Sequence, residues 1–154
     1  MTKGVADLMV EVERVVDAFH TAVHVDADLE AALALVADGC ALRNTPAGTG
    51  AEGDLRRYLA EGVLPHRPAD LTFRRVSRTG NRWSVADETV VGFTFDRPLP
   101  WLLPGAAPTH RYAEVLAMSV VSVRRSLVTA HRTLWDHTGL VAQLGLEPAH
   151  LPRA

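Results

Sequence analysis

The stretch that decides the fold is 128-VTAHRTLWDHTGLVAQLGL-146. Alternation of side-chain character as far as Trp135 predicts a β-strand, and the apolar spacing that follows Asp136 predicts a short helix. Because successive strand residues point to opposite faces, one face of this strand carries four side chains of mixed polarity, namely Thr129, His131, Thr133 and Trp135. This amphipathic face is typical of the lining of a pocket.

Upstream of this stretch, the first third of the chain is helical and the second half is rich in strands. Apolar residues recur at helical spacing over 5–23, 29–36 and 55–63. Asp28 is the expected cap of the second helix, and Asp38-Gly39 its expected end. Strands are predicted over 40–45, 71–78, 82–96, 112–124 and 127–137. This order indicates an α+β fold in which a curved antiparallel sheet wraps around the N-terminal helices.

Bulk properties narrow the class of protein. A length of 154 residues predicts one domain over 1–154. The net charge of −2 argues against nucleic acid as a partner, since phosphates require a basic surface. No apolar run reaches the roughly 20 residues of a membrane span. The single cysteine, Cys40, cannot form an internal disulfide, so a cytoplasmic location is expected.

Resident metals and nucleotides are not expected. His20 and His24 have a helical i, i+4 spacing that can bind a metal ion. However, no third ligand is near them in the sequence, and they border a helix face that we expect to be solvated. The glycines after Pro46 do not follow a strand in a nucleotide-binding pattern.

The strand over 82–96 carries the first candidate acid or base. Its odd-numbered residues are mostly apolar and should face the helices: Trp83, Val85, Asp87, Thr89, Val91, Phe93 and Phe95. Asp87 is therefore either a general acid or base in the pocket or the partner of an arginine. Phe93 should line the pocket. Glu88 points to the opposite face and becomes a catalytic candidate only if a bulge reverses the register.

The last strand carries the second candidate. The ordinary pKa of histidine lies near neutrality, which makes His131 the strongest single candidate for acid/base chemistry. The alternative is a histidine that is hydrogen-bonded within the core. Thr133 and Trp135 share its face and are candidate substrate contacts, as are Tyr58 and Asn44.

The segment 98-PLPWLLPGAAP-108 is too apolar for an ordinary surface loop. It either folds over the pocket mouth as a lid or packs into a partner subunit. Trp101 is then a pocket residue in the first case, and His110 lies at the rim.

Five motifs give the chain its resemblance to a known family: 46-PAGTG-50, 87-DETVVGFT-94, 101-WLLPG-105, 135-WD-136 and 140-LVAQLGL-146. With this order of elements they resemble the SnoaL-like branch of the nuclear transport factor 2-like superfamily. The resemblance implies a cone-shaped fold with a central pocket and frequent homodimers. It also implies chemistry that needs no metal or nucleotide cofactor.

Two functions are consistent with that resemblance. The first is an enzyme of secondary metabolism that acts on a small, largely apolar carbonyl compound or epoxide. Its reaction would be a cyclisation, isomerisation, dehydration or epoxide opening, with His131 and Asp87 as acid and base. The second is a non-catalytic protein that binds a small molecule or supports an assembly on the same fold.

Overall fold

We describe residues 2–147 of a computed structural model of the protein. Four helices are present in this range: α1 (Val5–His20), α2 (Leu29–Leu33), α3 (Leu55–Arg57) and α4 (His137–Leu144). Helix α1 continues as a wider π-helical turn, Thr21–Val25, and α3 continues through Tyr58–Val63 and a 3₁₀ turn, Leu64–His66. Residues 1 and 148–154, which the single-domain prediction includes, lie outside the described residues.

Six strands form one curved sheet: β1 (Val36–Thr45), β2 (Thr49–Glu52), β3 (Thr72–Gly80), β4 (Ser84–Thr94), β5 (Tyr112–Arg124) and β6 (Leu127–Trp135). The order across the sheet is β2-β1-β6-β5-β4-β3. Every neighbouring pair is antiparallel except β1 and β6, which are parallel. The predicted α+β class is confirmed, and the sheet is mixed because of this single parallel pair.

Short-range signals explain most element ends. The Asp28 carboxylate accepts a hydrogen bond from the amide N–H of Ala31 and caps α2. Asp136 caps α4 in the same way through the N–H of Gly139. The β5–β6 turn has positive φ at both Arg125 and Ser126, as a two-residue hairpin turn requires.

The first strand differs from its prediction. Helix α2 ends at Leu33, so Asp38-Gly39 does not terminate it but lies inside β1. Gly39 adopts φ 74° at an irregularity in the β1–β6 pairing between Val36 and Ala41. A bulge therefore interrupts the strand where the sequence suggested a helix end.

Strand β6 has a similar irregularity. Its pairing with β5 shifts between Ser122 and Val123, so that Val128 is fully buried. The Thr129 hydroxyl donates to the Ser122 carbonyl. Thr129 is therefore not part of the pocket lining, although alternation places it on that face.

The core lies between α1 and the concave face of the sheet. Helix α1 buries Val12, Val15, Val16 and Phe19, while β4 and β5 bury the side chains of Val85, Val91, Val115 and Val121. Helix α4 folds against β5, with Leu140 and Leu144 fully buried. Within residues 2–147, these contacts leave the convex face of the sheet without a covering layer.

The convex face carries several exposed apolar side chains. Leu116 lies opposite Val90, and Met118 lies opposite both Glu88 and Leu134. The side chains of Met118 and Leu134 are 52% and 57% exposed. Large exposed apolar surfaces of this kind are typical of protein interfaces.

We propose that a second copy of the chain covers this face. The wild-type protein should sediment as a dimer at micromolar concentration. Leu134→Glu should shift it towards monomer, because a carboxylate would be buried without a partner. Val10→Glu, which changes an exposed residue of α1, is the matched control and should leave the dimer intact. Wild-type protein that sediments only as monomer would contradict the proposal.

Candidate active site

A cavity of about 270 Å³ lies between α1 and the concave face of the sheet. This volume is near the lower end of the roughly 300–1,000 Å³ that small-molecule sites occupy. The sheet forms its floor, and α1 with the segment that contains Trp101 forms its roof. The floor side chains include Asp87, Thr89, Ser119, His131, Thr133 and Trp135.

Asp87 and His131 face the cavity from strands on either side of β5. Asp87 is opposite Ser119 on β5, and Ser119 is opposite Thr133 on β6. His131 lies two residues before Thr133 on the same face. Two strand spacings separate the candidate groups by roughly 10 Å across the sheet. A small substrate can therefore lie between them.

Asp87 is held in a bidentate ion pair. Arg78 on β3 donates from Nε to Oδ1 at 2.7 Å and from Nη2 to Oδ2 at 2.8 Å. Both side chains are largely buried, with exposed fractions of 13% for Arg78 and 12% for Asp87. The arginine partner that the sequence left as an alternative for Asp87 is therefore Arg78, and Asp87 also lines the cavity.

Arg78 also binds helix α1. Its Nη1 and Nη2 donate to the Asp17 carboxylate at 3.2 and 2.7 Å. Arg75 lies 3.7 Å from the same carboxylate, and all four side chains line one end of the cavity. Two cations thus face two carboxylates, so this end of the cavity is polar without carrying net charge.

The cavity also holds three histidines. His20 and His24 come from α1 and its extension, and His131 comes from β6. Removal from water lowers the pKa of all three, to about 4 for His131 and well below the usual value for His24. The three imidazoles are therefore neutral at pH 7.

A chain of hydrogen bonds positions Tyr58. The indole N–H of Trp135 donates to Asn44 Oδ1 at 3.2 Å. Asn44 Nδ2 in turn donates to the Tyr58 hydroxyl at 3.1 Å. Burial raises the pKa of Tyr58, so its hydroxyl stays protonated, and Thr49 is a second hydrogen-bonding neighbour of that hydroxyl beside Asn44.

The segment from Leu99 to Ala106 packs on the chain's own core. Leu99, Leu102 and Leu103 are almost fully buried, and Trp101 lines the cavity with an exposed fraction of 4%. Of the two roles that the sequence left open, the cover over the pocket is the one the structure supports. The Thr49 hydroxyl donates to the Trp101 carbonyl and fixes the segment there.

Three candidate residues lie outside the cavity. Glu88 keeps the register of β4 and lies on the convex face, where it accepts a hydrogen bond from Ser77 at 3.1 Å. Phe93 lies beyond Val91, the last β4 residue of the lining, and packs in the core. His110 is exposed and does not reach the lining. The other seven candidates all face the cavity: Asn44, Tyr58, Asp87, Trp101, His131, Thr133 and Trp135.

Sequence reasoning missed the histidines of the roof and Arg78. The prediction that His20 and His24 border a solvated face was wrong. The sequence did indicate their burial, because His20 and His24 lie on the same helical stripe as the buried Val16, Phe19 and Val23. Arg78 had no such signal, since its pairing with Asp87 depends on the β3–β4 register.

Within residues 2–147, no group of three or more histidine, cysteine or acidic side chains could hold a metal ion. In the same range, no helix is long and apolar enough to cross a membrane.

Comparisons with known proteins show the fold. No family model and no curated protein matches the chain. A SnoaL-like protein from Jannaschia sp. CCS1, provisionally assigned as a polyketide cyclase, matches 96% of this chain and 100% of its own, with a TM-score of 0.73 and 11% identity. An LEH-like epoxide hydrolase from M. tuberculosis matches 88% and 90%, with a TM-score of 0.64 and 15% identity.

IdmH from Streptomyces antibioticus, also provisionally assigned as a polyketide cyclase, matches 87% of this chain and 98% of its own. Its TM-score is 0.63 at 20% identity. Others of these structures are described as having a ketosteroid isomerase-like fold or as NTF2-like. The chain therefore has the cone fold of the nuclear transport factor 2-like superfamily, and the resemblance read from the sequence is confirmed at the level of fold.

Acid should destabilise the protein through His131. The unfolded chain binds a proton near pH 6.5, whereas folded His131 binds one only near pH 4. The contribution of neutral His131 to the free energy of unfolding is therefore complete above pH 6.5. It falls by about 3 kcal/mol as the pH drops to 4. Urea unfolding at several pH values should show a shallower pH dependence in His131→Gln. The exposed His110→Gln control should keep the wild-type slope, and an unchanged slope in His131→Gln would contradict the assignment.

Removing Arg78 should be costly. Arg78→Met leaves the Asp87 carboxylate largely buried without a counterion, so the free energy of unfolding should fall by roughly 3 kcal/mol. Arg57→Met removes an exposed i, i+4 pair with Glu61 and should change it by no more than about 0.5 kcal/mol. Equal losses in the two variants, measured by urea unfolding, would show that the Arg78 pair is not buried.

Proposed function

We propose that the protein is a cofactor-independent acid/base enzyme that acts on a small, largely apolar carbonyl compound or epoxide. The observation that carries this proposal is that Asp87 and the neutral His131 face one enclosed cavity from opposite sides of β5. The cavity is otherwise lined mainly by apolar and aromatic side chains. It therefore suits a substrate with one reactive polar centre.

His131 is the proposed base. A neutral imidazole can accept a proton at pH 7, and its protonated form is stabilised by a carboxylate nearby. The Asp87 charge raises the pKa of His131, although burial lowers it more strongly. Because Arg78 occupies one lone pair of each Asp87 oxygen, Asp87 is held as a fixed negative charge across the cavity from the base rather than as the proton carrier.

Tyr58 is the proposed donor to the developing oxyanion. Asn44 lies opposite Thr133 in the β1–β6 pair, two residues or roughly 7 Å along the strand from the position of His131. The hydrogen-bond chain from Trp135 through Asn44 points the Tyr58 hydroxyl proton away from Asn44. A preorganised donor in a site shielded from water stabilises an enolate or alkoxide strongly.

His131 as the base and Tyr58 as the hydrogen-bond donor are sufficient for a balanced proton transfer. With a ketone, His131 takes the α-proton, the C–H electron pair passes to the carbonyl oxygen, and Tyr58 donates a hydrogen bond to the resulting enolate. With an epoxide, His131 takes a proton from water as its oxygen attacks carbon. The C–O bond then breaks, and Tyr58 donates to the alkoxide. Cyclisation, isomerisation and dehydration need the same two roles.

The structural neighbours support this general class. They include an epoxide hydrolase and proteins provisionally assigned as polyketide cyclases. Polyketide cyclisation is a reaction of secondary metabolism, and we extend that setting to this protein as part of the proposal. Since one fold supports many activities, the roles of Asp87, His131 and Tyr58 rest on the geometry of the site.

A non-catalytic binding protein is the second candidate. It is favoured by the bidentate Arg78–Asp87 pair, which is also what a purely structural ion pair looks like. It is favoured too by the low pKa of His131, about 4, which makes the free imidazole a weak base. Such a protein would bind an apolar ligand in the cavity and release it unchanged.

Two simple reactions separate these candidates. Exchange of the α-protons of 2-tetralone in D₂O reports on enolisation, and hydrolysis of cyclohexene oxide reports on epoxide opening. The wild-type protein should accelerate at least one of them. His131→Ala should lower that rate by roughly 100-fold or more while the fold remains intact by circular dichroism.

Tyr58→Phe should also slow the reaction, because the oxyanion loses its donor. The control is His66→Ala, which changes a histidine outside the cavity and should keep the wild-type rate. Binding of 2-tetralone without exchange or hydrolysis would favour the non-catalytic candidate. Full activity in folded His131→Ala would remove His131 from the mechanism.

A further inference from the structure

Two polar atoms in the roof of the cavity lack a hydrogen-bond partner. The indole Nε1 of Trp101 and the Nδ1 of His24 are buried, and neither bonds to any group within residues 2–147. Both side chains line the cavity, and Trp101 is only 4% exposed. A buried donor or acceptor left unpaired costs about 1–3 kcal/mol. Two of them on one wall indicate a place where a polar atom of a ligand binds.

We propose that Trp101 Nε1 and His24 Nδ1 form a second polar subsite that binds an uncharged oxygen of the substrate, either a keto or a hydroxyl group. This inference rests on the proposed function in that it takes the cavity as the substrate site. It adds a requirement on the substrate, since an oxygen must face the roof while the reacting centre faces Asp87 and His131 on the floor.

The two rings are held in place for this role. Their ring centroids are 6.2 Å apart, so the two rings are neighbours in the roof of the cavity. Trp101 packs against Trp135 at 5.9 Å, and His24 packs against Phe73 at 4.7 Å. The subsite is therefore preorganised, so little side-chain freedom is lost when a ligand binds.

The chemistry of the two atoms defines the ligand. An indole N–H can only donate, so the ligand atom must accept a hydrogen bond. Burial lowers the pKa of His24 well below its usual value, and the neutral ring offers one donor and one acceptor nitrogen. A keto oxygen can accept from both rings. A hydroxyl can accept from Trp101 and donate to His24.

Charge excludes the ionic alternatives. Within the described residues, the roof supplies no arginine or lysine to the cavity lining. Arg67 lies near His24, but it donates to the backbone carbonyls of His24 and Val25 and does not reach the lining. A carboxylate at this subsite would be buried without a direct counterion, which is costly. An ammonium group would offer no acceptor to the indole N–H.

A matched pair of probes tests the subsite. The ketones 6-hydroxy-2-tetralone and 2-tetralone have nearly the same shape and differ in one oxygen, so the extra hydroxyl can face the roof while the keto group faces the floor. Calorimetric titration of the wild-type protein should show that 6-hydroxy-2-tetralone binds roughly tenfold more tightly. In Trp101→Phe, which keeps an aromatic ring but lacks the N–H, the ratio of the two affinities should approach one. His24→Leu should also reduce the ratio, and Trp83→Phe, at an exposed tryptophan, should leave it unchanged.

Indole N–H signals of ¹⁵N-labelled protein give a direct readout that needs no substitution in the roof. The chain has three tryptophans, so three such signals are expected. The signal of Trp101 should move downfield with 6-hydroxy-2-tetralone and much less with 2-tetralone. The signal of Trp83 should not move, and that of Trp135 should move little because its N–H already donates to Asn44.

The outcomes separate this inference from the proposed function. Equal affinity for the two probes, with no hydroxyl-dependent movement of the Trp101 signal, would overturn the subsite and leave the cavity as a binding site. If neither probe binds, the cavity is not a substrate site and both proposals fail. If 6-hydroxy-2-tetralone binds with the expected shift but undergoes no exchange of its α-protons, the subsite is supported and the enzyme proposal is not.

Discussion

The ion pairing of the Arg78 guanidinium is the interaction on which the site depends, because it connects side chains of three elements at the polar end of the cavity. It lies on β3, binds Asp87 on β4 and binds Asp17 on α1. A carboxylate in a largely apolar cavity is tolerated only when a fixed cation accompanies it. Arg78 therefore allows Asp87 to face the cavity and also fixes the helix over that end of the sheet.

The other properties of the cavity follow from this pairing. With Arg75 and Arg78 facing Asp17 and Asp87, the polar end has no net charge, so its carboxylates offset only part of the effect of burial on the histidines. Burial then dominates the titration of the three cavity histidines and keeps them neutral. The result is a site with hydrogen-bonding capacity, little charge and a volume suited to a small uncharged ligand.

Closure of the cavity has a different physical origin. The Leu99–Ala106 segment buries apolar side chains that would be costly to expose, and this burial places Trp101 in the roof. The Thr49 hydroxyl connects that roof to the Asn44–Tyr58–Trp135 chain, because it donates to the Trp101 carbonyl and accepts from Asn44. The groups that would bind substrate oxygens on the roof and on the floor are thus mechanically connected.

Local patterns predicted much of this architecture. Strand β5 and the helical stripe of α1 follow directly from apolar spacing, and alternation on β4 and β6 placed Asp87 and His131 in the cavity. Local patterns could not predict the features that depend on pairing between distant parts of the chain. The short β2, the parallel β1–β6 pair and the bulges in β1 and β6 are set by register, and the partner of Asp87 is set by β3–β4 pairing. Phe93 was misplaced because alternation identifies a face but not where along that face the cavity ends.

The cavity is expected to remove His131 from water, across from the Arg78–Asp87 pair. Titration of the His131 Cε1–H signal by NMR tests it most directly, since the chemical shift follows the protonation of that one ring. A midpoint near pH 4, more than two units below the ordinary pKa of histidine, is the result that the structure predicts. A midpoint near 6.5 would show that the ring is hydrated and that the enclosed site described above does not exist in solution.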